Sequence, residues 1–515
     1  MSESVDTAGT LQTFKAVADN PLTRNVLKAL SKHCPKDKGN RLEVALELYV
    51  GARKEACFFC RLSRNLLSPI LAAACRDFGL TQEQLKNKFQ DAYWRRGLVS
   101  VVKGIAWFGI RRPYVPGAPF QVVWNITRAC NLKCLHCYEN AGVKGPDELT
   151  TKEALHGIDI LADAGVLILA FSGGEPTIRP DILQLIQHSS GRGMFTAIAT
   201  NAVLFSSRKK VEEFKKAGLQ FAQISLDGLN PKTHDYFRGV PGTFEKTVQG
   251  IKNCVAEGLF VEIATTATRY NIKEIPDMID FAAKLGVNWF MLYNFVPTGR
   301  GADIIVSDLS PEEREDVLKI CWNKMKERSG FNVLSTAPQF ARIAQETEAQ
   351  LASNIKCETD SIVVPTHFYN PELSGQLKNL AEFIGGCGAG RFYLCLEPNG
   401  DIYPCVFFPH EEAMKVGNLF KDNFEEIWRH SKLFGKVRDK DKLKENCGSC
   451  QYRYTCGGCR ARAYNYFKDI LAPDPGCMIN RVFWDQLQAG VKTKSSAQET
   501  AKETSFPERI RDFCQ

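Results

Sequence analysis

FQVVWNITRACNLKCLHCYE, residues 120–139, is the stretch on which the reading of this chain turns. Its apolar start, 120–126, reads as a buried strand. Cys130, Cys134 and Cys137 follow at once, spaced Cys-x3-Cys-x2-Cys. Three thiolates on one tight loop can hold three corners of a cubane iron–sulfur cluster. The fourth iron then has no protein ligand, and an open metal position is where a substrate or cofactor coordinates. Structural zinc would ask for a fourth local Cys or His, and His136, between two ligands, is too constrained to serve.

Downstream, apolar runs at 167–172, 195–200, 221–226, 260–266 and 288–295 read as further strands. Helical stretches at 151–164, 182–190, 207–217, 243–257 and 275–285 separate them. Strands alternating with helices at this interval imply a parallel sheet. The fold class is therefore α/β, a partial (β/α)6 TIM-type barrel with its chemistry at the C-terminal strand ends. An N-terminal helical domain and a C-terminal cysteine-rich domain flank it.

Cys130-Asn-Leu-Lys-Cys134-Leu-His-Cys137-Tyr138 resembles the signature of the radical S-adenosylmethionine superfamily, and other matches follow in order. Ser172-Gly173-Gly174-Glu175-Pro176 resembles the family's GGEP loop: glycines let backbone approach a ligand, and Glu175 can pair with an ammonium group. Thr200-Asn201 is similar to its TNG element, with Ala202 in place of glycine. Ser225-Leu-Asp227-Gly228 is similar to its SLDG element, which would put Ser225 near the cofactor's ribose or carboxylate. Arg238 matches an arginine that pairs with the cofactor carboxylate, and 294–301 resembles the sixth-strand end beside the adenine. The resemblance thus implies a cofactor site of Tyr138, Gly173, Gly174, Glu175, Asn201, Ser225, Asp227 and Arg238. Singly, each motif could be a turn, a cap or a surface cation; their order after successive strands argues otherwise.

A second concentration of cysteines lies at Cys387, Cys395, Cys405, Cys447, Cys450, Cys456, Cys459 and Cys477. It is similar to the SPASM domain, although the last pair of its central run is spaced by two residues where that family has three. A full domain of that type holds two auxiliary 4Fe–4S clusters. The resemblance implies Cys447, Cys450, Cys456 and Cys477 for one, and Cys387, Cys405 and Cys459 with Cys395 for the other. Paired Cys-x2-Cys is also a zinc-ribbon spacing, and the upstream core tips the choice to iron–sulfur. Gly457 and Gly458 give the backbone room to approach sulfides.

The chain has 515 residues, 19 of them cysteine, and a net charge of +8 with acidic residues interspersed, so no basic stripe points to nucleic acid. The polar start at 1–15 has no apolar core and no run is long enough to span a bilayer, from which we expect a reducing, cytoplasmic setting. Residues 1–95 read as a helical domain in which Cys57-Phe-Phe-Cys60 has no second pair nearby; structural thiols are the first reading, a metal or redox site the other. In 96–119, an amphipathic helix at 96–111 gathers Arg96, Ser100, Lys103, Gly104 and Arg111 on one face with Trp107 among them, before a proline-rich linker. That pattern suits a helix clamped between domains, or peripheral membrane contact. The core spans 120–305, a polar helical connector 306–383 with Cys321 and Cys357, the SPASM-like domain 384–480, and a charged tail 481–515.

The resemblance implies reductive cleavage of S-adenosylmethionine to a 5′-deoxyadenosyl radical, which takes hydrogen from an unactivated carbon. It implies a low-potential donor of ferredoxin or flavodoxin type. The expected substrate is a peptide or protein, and the alternative is a lipid or isoprenoid-type molecule at a membrane surface, supported only by 96–111. A non-catalytic electron carrier or scaffold would need no cofactor pocket, so Glu175 and Arg238 argue against it.

Overall fold

The computed structural model describes residues 20–77, 81–327, 330–354 and 381–489. Cys357 and the tail beyond 489 lie outside them.

The N-terminal domain is helical, as its spacing predicts: Pro21–Leu30, Arg41–Val50, Phe58–Asp77, Gln82–Lys88 and Ala92–Phe108. A short hairpin, β1 (His33–Cys34) with β2 (Gly39–Asn40), interrupts it. Leu42, Ala45, Leu46, Leu67, Leu71, Phe89 and Val99 form its main core.

The helix expected at 96–111 runs instead from Ala92 to Phe108 and turns Lys103 inward, with Arg96 half-buried and Arg111 exposed beyond its end. Lys103 is 7% exposed, donates to the Ala164 carbonyl at 3.2 Å and pairs with Glu425 at 3.0 Å. Arg96 pairs with Glu43 at 2.9 Å, and the Lys28 ammonium and Arg429 guanidinium stack on Trp107. These contacts are those of the helix clamped between domains, the first of its two readings. Partners that replace water inside the protein are what let Lys103 be buried. This helix clamps the N-terminal domain to the barrel. No helix among the described residues is long and apolar enough to cross a membrane.

Six parallel strands follow in chain order: β3 (Gln121–Thr127), β4 (Ile168–Gly173), β5 (Phe195–Thr200), β6 (Phe221–Ser225), β7 (Phe260–Ala267) and β8 (Trp289–Asn294). Strand alternation sorts the two faces. Val122, Trp124 and Ile126 are fully buried in the layer under the helices, whereas Gln121 and Val123 line the central cavity. The helix Thr151–Ala164 begins as predicted because Thr150 and Glu153 form a reciprocal capping box.

The sheet is longer than the six expected strands. The connector at 306–383 is not only helical: after the helix Pro311–Lys326, β9 (Asn332–Ser335) adds parallel to β8. At the other edge β10 (Tyr393–Leu396), from the cysteine-rich domain, pairs parallel with β3 and carries β11 (Asp401–Tyr403) and β12 (Gly417–Asn418). The whole order is β12-β11-β10-β3-β4-β5-β6-β7-β8-β9.

A buried ion network fixes the cysteine-rich domain across the barrel mouth. Asp308 pairs with Arg314 and with Arg462, each at 2.6 Å, and Arg462 pairs with Asp474 at 3.1 Å. Asp474 in turn accepts from the Cys459 amide at 2.7 Å. Such charges persist without water only when mutually paired, so the network ties one cysteine's position to the barrel wall.

Candidate active site and iron–sulfur centres

The loop after β3 is held from several sides. The Cys130 amide donates to Gly142 O at 2.9 Å, and the Lys133 and Leu135 amides donate to Arg238 O and Phe237 O. The Arg300 guanidinium donates to Cys134 O at 3.0 Å and Ala141 O at 2.7 Å. So bound, the loop turns Cys130, Cys134 and Cys137 toward one cavity at the strand ends. The Leu132 amide points at Cys130 Sγ (3.4 Å), the Ala141 amide at Cys137 Sγ (3.5 Å), and Arg238 Nη1 at Cys134 Sγ (3.6 Å). Donors aimed at sulfur stabilise thiolate character. Burial, helped by the charges of Glu175 and the two neighbouring thiols and opposed by the Leu132 amide, pushes the Cys130 thiol up to about 12, so a bound metal is what would take its proton. The donor set suits a cubane with one free iron: three sulfurs, with neighbouring donors on the chain.

Tyr138, Gly173, Gly174, Glu175, Asn201, Ser225 and Arg238 line the same cavity. Glu175 is 1% exposed and receives the Thr177 amide (3.0 Å), both threonine hydroxyls of Thr177 (2.5 Å) and Thr200 (2.7 Å), and the Asn201 amide (2.8 Å). Burial raises its carboxyl and these donors oppose that. Gly174 is required by close approach: a Cβ there would stand 2.1 Å from Ala129 O, beside the cysteine loop. Ala202 holds the left-handed φ of +57° that the resembled glycine would adopt without strain.

Asp227 does not line the cavity. It is fully buried, pairs with Arg238 Nη2 at 2.5 Å and accepts the Thr266 amide at 2.8 Å. It therefore aims Arg238 and is not placed to touch a cofactor. Burial, then the Arg238 charge, hold the neighbouring His136 neutral, well below its ordinary pKa, and its ring stacks on Phe237 at 4.1 Å.

In the cysteine-rich domain, Cys447, Cys450, Cys456 and Cys477 line one small pocket. The Tyr452 and Gly458 amides approach Cys450 and Cys456 Sγ, each at 3.4 Å, and the Asn480 amide approaches Cys447 Sγ at 3.3 Å. Gly457 and Gly458 both have φ of +64°, a conformation side chains avoid. Cys387, Cys405 and Cys459 line a second pocket with Tyr393, whose hydroxyl donates to Cys405 Sγ at 3.6 Å. Arg391 fastens the Cys387 loop by donating to the Gly385 carbonyl at 2.5 Å and to several neighbouring carbonyls.

Cys395 is the exception to the expected ligand sets, because it does not line that second pocket. Its sulfur stands with Glu397 and His410, 3.4 Å from the Asn125 amide nitrogen and 3.5 Å from the Glu397 carboxylate. Two residues beyond Tyr393 on an extended strand means about 7 Å further along it, and Tyr393 takes the place beside the other three thiols.

Sequence reading missed two polar groups. In the barrel floor, Gln223 Nε2 donates at 2.6 Å both to Glu262 and to the Tyr293 hydroxyl. Burial pushes the Glu262 carboxyl up to about 7. A glutamate inside the apolar run Phe-Val-Glu-Ile is the signal that could have marked it. The other group is Asn125, whose amide donates to Glu139 (2.6 Å) and Glu397 (2.8 Å), with His410 beside both carboxylates. It joins residues far apart in sequence and left no local trace.

A parallel partial barrel with a three-thiol loop at its strand ends, and two further thiol sets in an appended domain, defines a cluster-bearing radical enzyme. The sequence profile described as the radical SAM superfamily matches residues 124–282, and that described as an iron–sulfur cluster-binding domain, SPASM, matches 387–451. The AdoMet-dependent heme synthase of Methanosarcina barkeri is 35% identical over 362 residues, covering 70% of this chain and 97% of that one. Mycofactocin maturase MftC of Mycobacterium tuberculosis is 30% identical over 364 residues, 70% of this chain and 83% of that one. The fold is shared with Streptococcus suis SuiB bound to S-adenosylmethionine, with a TM-score of 0.58 at 18% identity over 85% of this chain and 92% of that chain. The chain belongs to the radical SAM superfamily and carries a C-terminal SPASM-type domain. It is an enzyme whose cofactors are S-adenosylmethionine and 4Fe–4S clusters.

Proposed function

We propose that Cys130, Cys134 and Cys137 hold the cluster that binds S-adenosylmethionine, and that the substrate is a peptide or protein side chain admitted between the barrel and the cysteine-rich domain. Bound there, cluster and nucleotide supply a carbon radical able to take hydrogen from an unactivated carbon. The chain's residues bind and orient. Glu175 and the Gly173–Gly174 backbone receive the amino-acid end of the nucleotide, Arg238 faces its carboxylate, and Asn201 and Ser225 flank its ribose. Phe295, Val406 and Phe407 close the opposite wall with apolar surface that excludes water. Cys447, Cys450, Cys456 and Cys477 hold one auxiliary cluster; Cys387, Cys405 and Cys459 hold the other, beside Tyr393.

The observation that carries this reading is the meeting of three thiols, Glu175 and Arg238 in one cavity walled by Val406 and Phe407 of the cysteine-rich domain. The peptide class is supported by the likeness to a maturase and by a fold that, in SuiB, admits a precursor peptide. An iron porphyrin is the second substrate class, favoured by the 35% identity to a heme synthase over nearly all of that relative. The lipid reading has lost its support with the inward turn of Lys103.

The test is 5′-deoxyadenosine formation by anaerobically reconstituted, dithionite-reduced protein. Formation is expected without substrate at a low rate, and stimulation by a precursor peptide encoded beside this chain favours the first class. Stimulation by an iron porphyrin alone would reverse the substrate order, and no 5′-deoxyadenosine at full iron loading would sink the cluster assignment.

A further inference from the structure

The Cys57-Phe-Phe-Cys60 pair is not alone once the N-terminal domain is folded. Cys34 ends β1, and the hairpin turns through Asp37 and Lys38, whose φ is +52°, into β2. Cys57 and Cys60 stand at the start of the helix Phe58–Asp77. The ligand-type atoms of Cys34, Asp37, Cys57 and Cys60 all lie within 4.8 Å of one another. Cys34 Sγ is 3.6 Å from Cys57 Sγ and 3.4 Å from Asp37 Oδ2.

We propose that Cys34, Asp37, Cys57 and Cys60 form a four-coordinate zinc site that fastens the hairpin to the helix.

Distances choose among the chemistries open to three cysteines. Zinc–sulfur bonds of about 2.3 Å set neighbouring corners of a tetrahedron about 3.8 Å apart, close to what these atoms show. A disulfide needs its sulfurs at about 2.0 Å, and Cys34, Cys57 and Cys60 are all free. A cubane would hold its thiolates much farther apart, because four irons and four sulfides stand between them. A carboxylate is a recognised fourth ligand for zinc. Asp37 is oriented for it, since the Cys57 amide donates to both its oxygens at 3.1 and 3.2 Å, the outer-shell support that metal ligands receive.

Sequence and packing agree. Cys-x2-Asp on a hairpin with Cys-x2-Cys at a helix start supplies two bidentate clips of zinc spacing. Only Cys34, Val44 and Cys60 are buried in the local cluster, too thin an apolar core to fix a hairpin of two-residue strands. With all four corners taken by the chain, the site is closed and its role structural.

Metal analysis of the anaerobically purified full-length holoprotein should find about one zinc per chain beside its iron. Zinc K-edge X-ray absorption should show three sulfur and one oxygen neighbour, a shell that zinc misplaced in an emptied four-cysteine cluster site would not give. In Cys57→Ser/Cys60→Ser the zinc should fall to background with iron content unchanged. If that variant fails to fold, the absorption shell of the wild-type protein decides alone. Absence of zinc, a four-sulfur or nitrogen-containing shell, iron in its place, or zinc retained by a folded double variant overturns the assignment.

Discussion

Replacing Glu262 by glutamine probes how the barrel floor is built. The Glu262 side chain is 2% exposed and its one hydrogen bond to a described neighbour is with the Gln223 amide. Burial, partly offset by that bond, lifts its carboxyl from 4.5 to about 7. The folded chain then holds this proton more tightly than the unfolded one. Below about pH 4.5 both states carry it and nothing is lost; as pH rises toward 7 the unfolded chain releases it first and stability falls; above 7 the loss levels off. At about 1.4 kcal/mol per tenfold change in proton affinity, the whole loss is about 3 kcal/mol. Glutamine keeps the size and the polar contact but has no proton to hold. Urea unfolding of wild type and Glu262→Gln, followed by fluorescence of buried tryptophans such as Trp124, should show the variant gaining on wild type by about 2–3 kcal/mol between pH 5 and pH 8. Parallel pH profiles, or a gap that widens toward acid, would refute the account of a desolvated carboxyl.

Three further outcomes are expected. Replacing Cys130, Cys134 and Cys137 together by alanine should remove about a third of the iron, one of three cubanes, and abolish 5′-deoxyadenosine formation; unchanged iron would contradict the ligand set. Asp227→Asn should leave Arg238 buried without its counter-charge, lowering stability by about 3–5 kcal/mol and weakening S-adenosylmethionine binding by equilibrium dialysis, while iron loading stays intact. Should binding be untouched, Asp227 does not aim Arg238. Gly174→Ala would drive a methyl group into the Ala129 carbonyl; an overpacking penalty of about 1–3 kcal/mol and a raised dissociation constant for the nucleotide are expected, and wild-type binding would show that this backbone approach is dispensable.

Much of the barrel was legible because its strands are short apolar runs closed by recognisable caps and turns. The strand expected at 195–200 is Phe195–Thr200, and the helix expected at 151–164 is Thr151–Ala164, where Thr150 and Glu153 satisfy the helix start within four residues. The loop motifs were legible too, since glycines and cysteines at fixed spacing act locally. β9 escaped because its two central apolar residues, Val333 and Leu334, are too few for a period and become a strand only by pairing with β8. β10 hides similarly among cysteines, its parallel partner β3 lying some 270 residues earlier.

What the sequence determined by itself is the three-cysteine loop and the order of the strand-end motifs, because each is made by residues within one turn or one strand end, where spacing is geometry. Tertiary structure alone decided which distant groups meet. It decided between the two readings of Lys103 in favour of a buried clamp, moved Cys395 away from Cys387, Cys405 and Cys459, gave Asp227 to Arg238, and brought Cys34 and Asp37 to Cys57 and Cys60. Those contacts depend on sheet register and on the packing of domains, and a charge or a thiol takes its chemistry from neighbours that only the folded chain supplies.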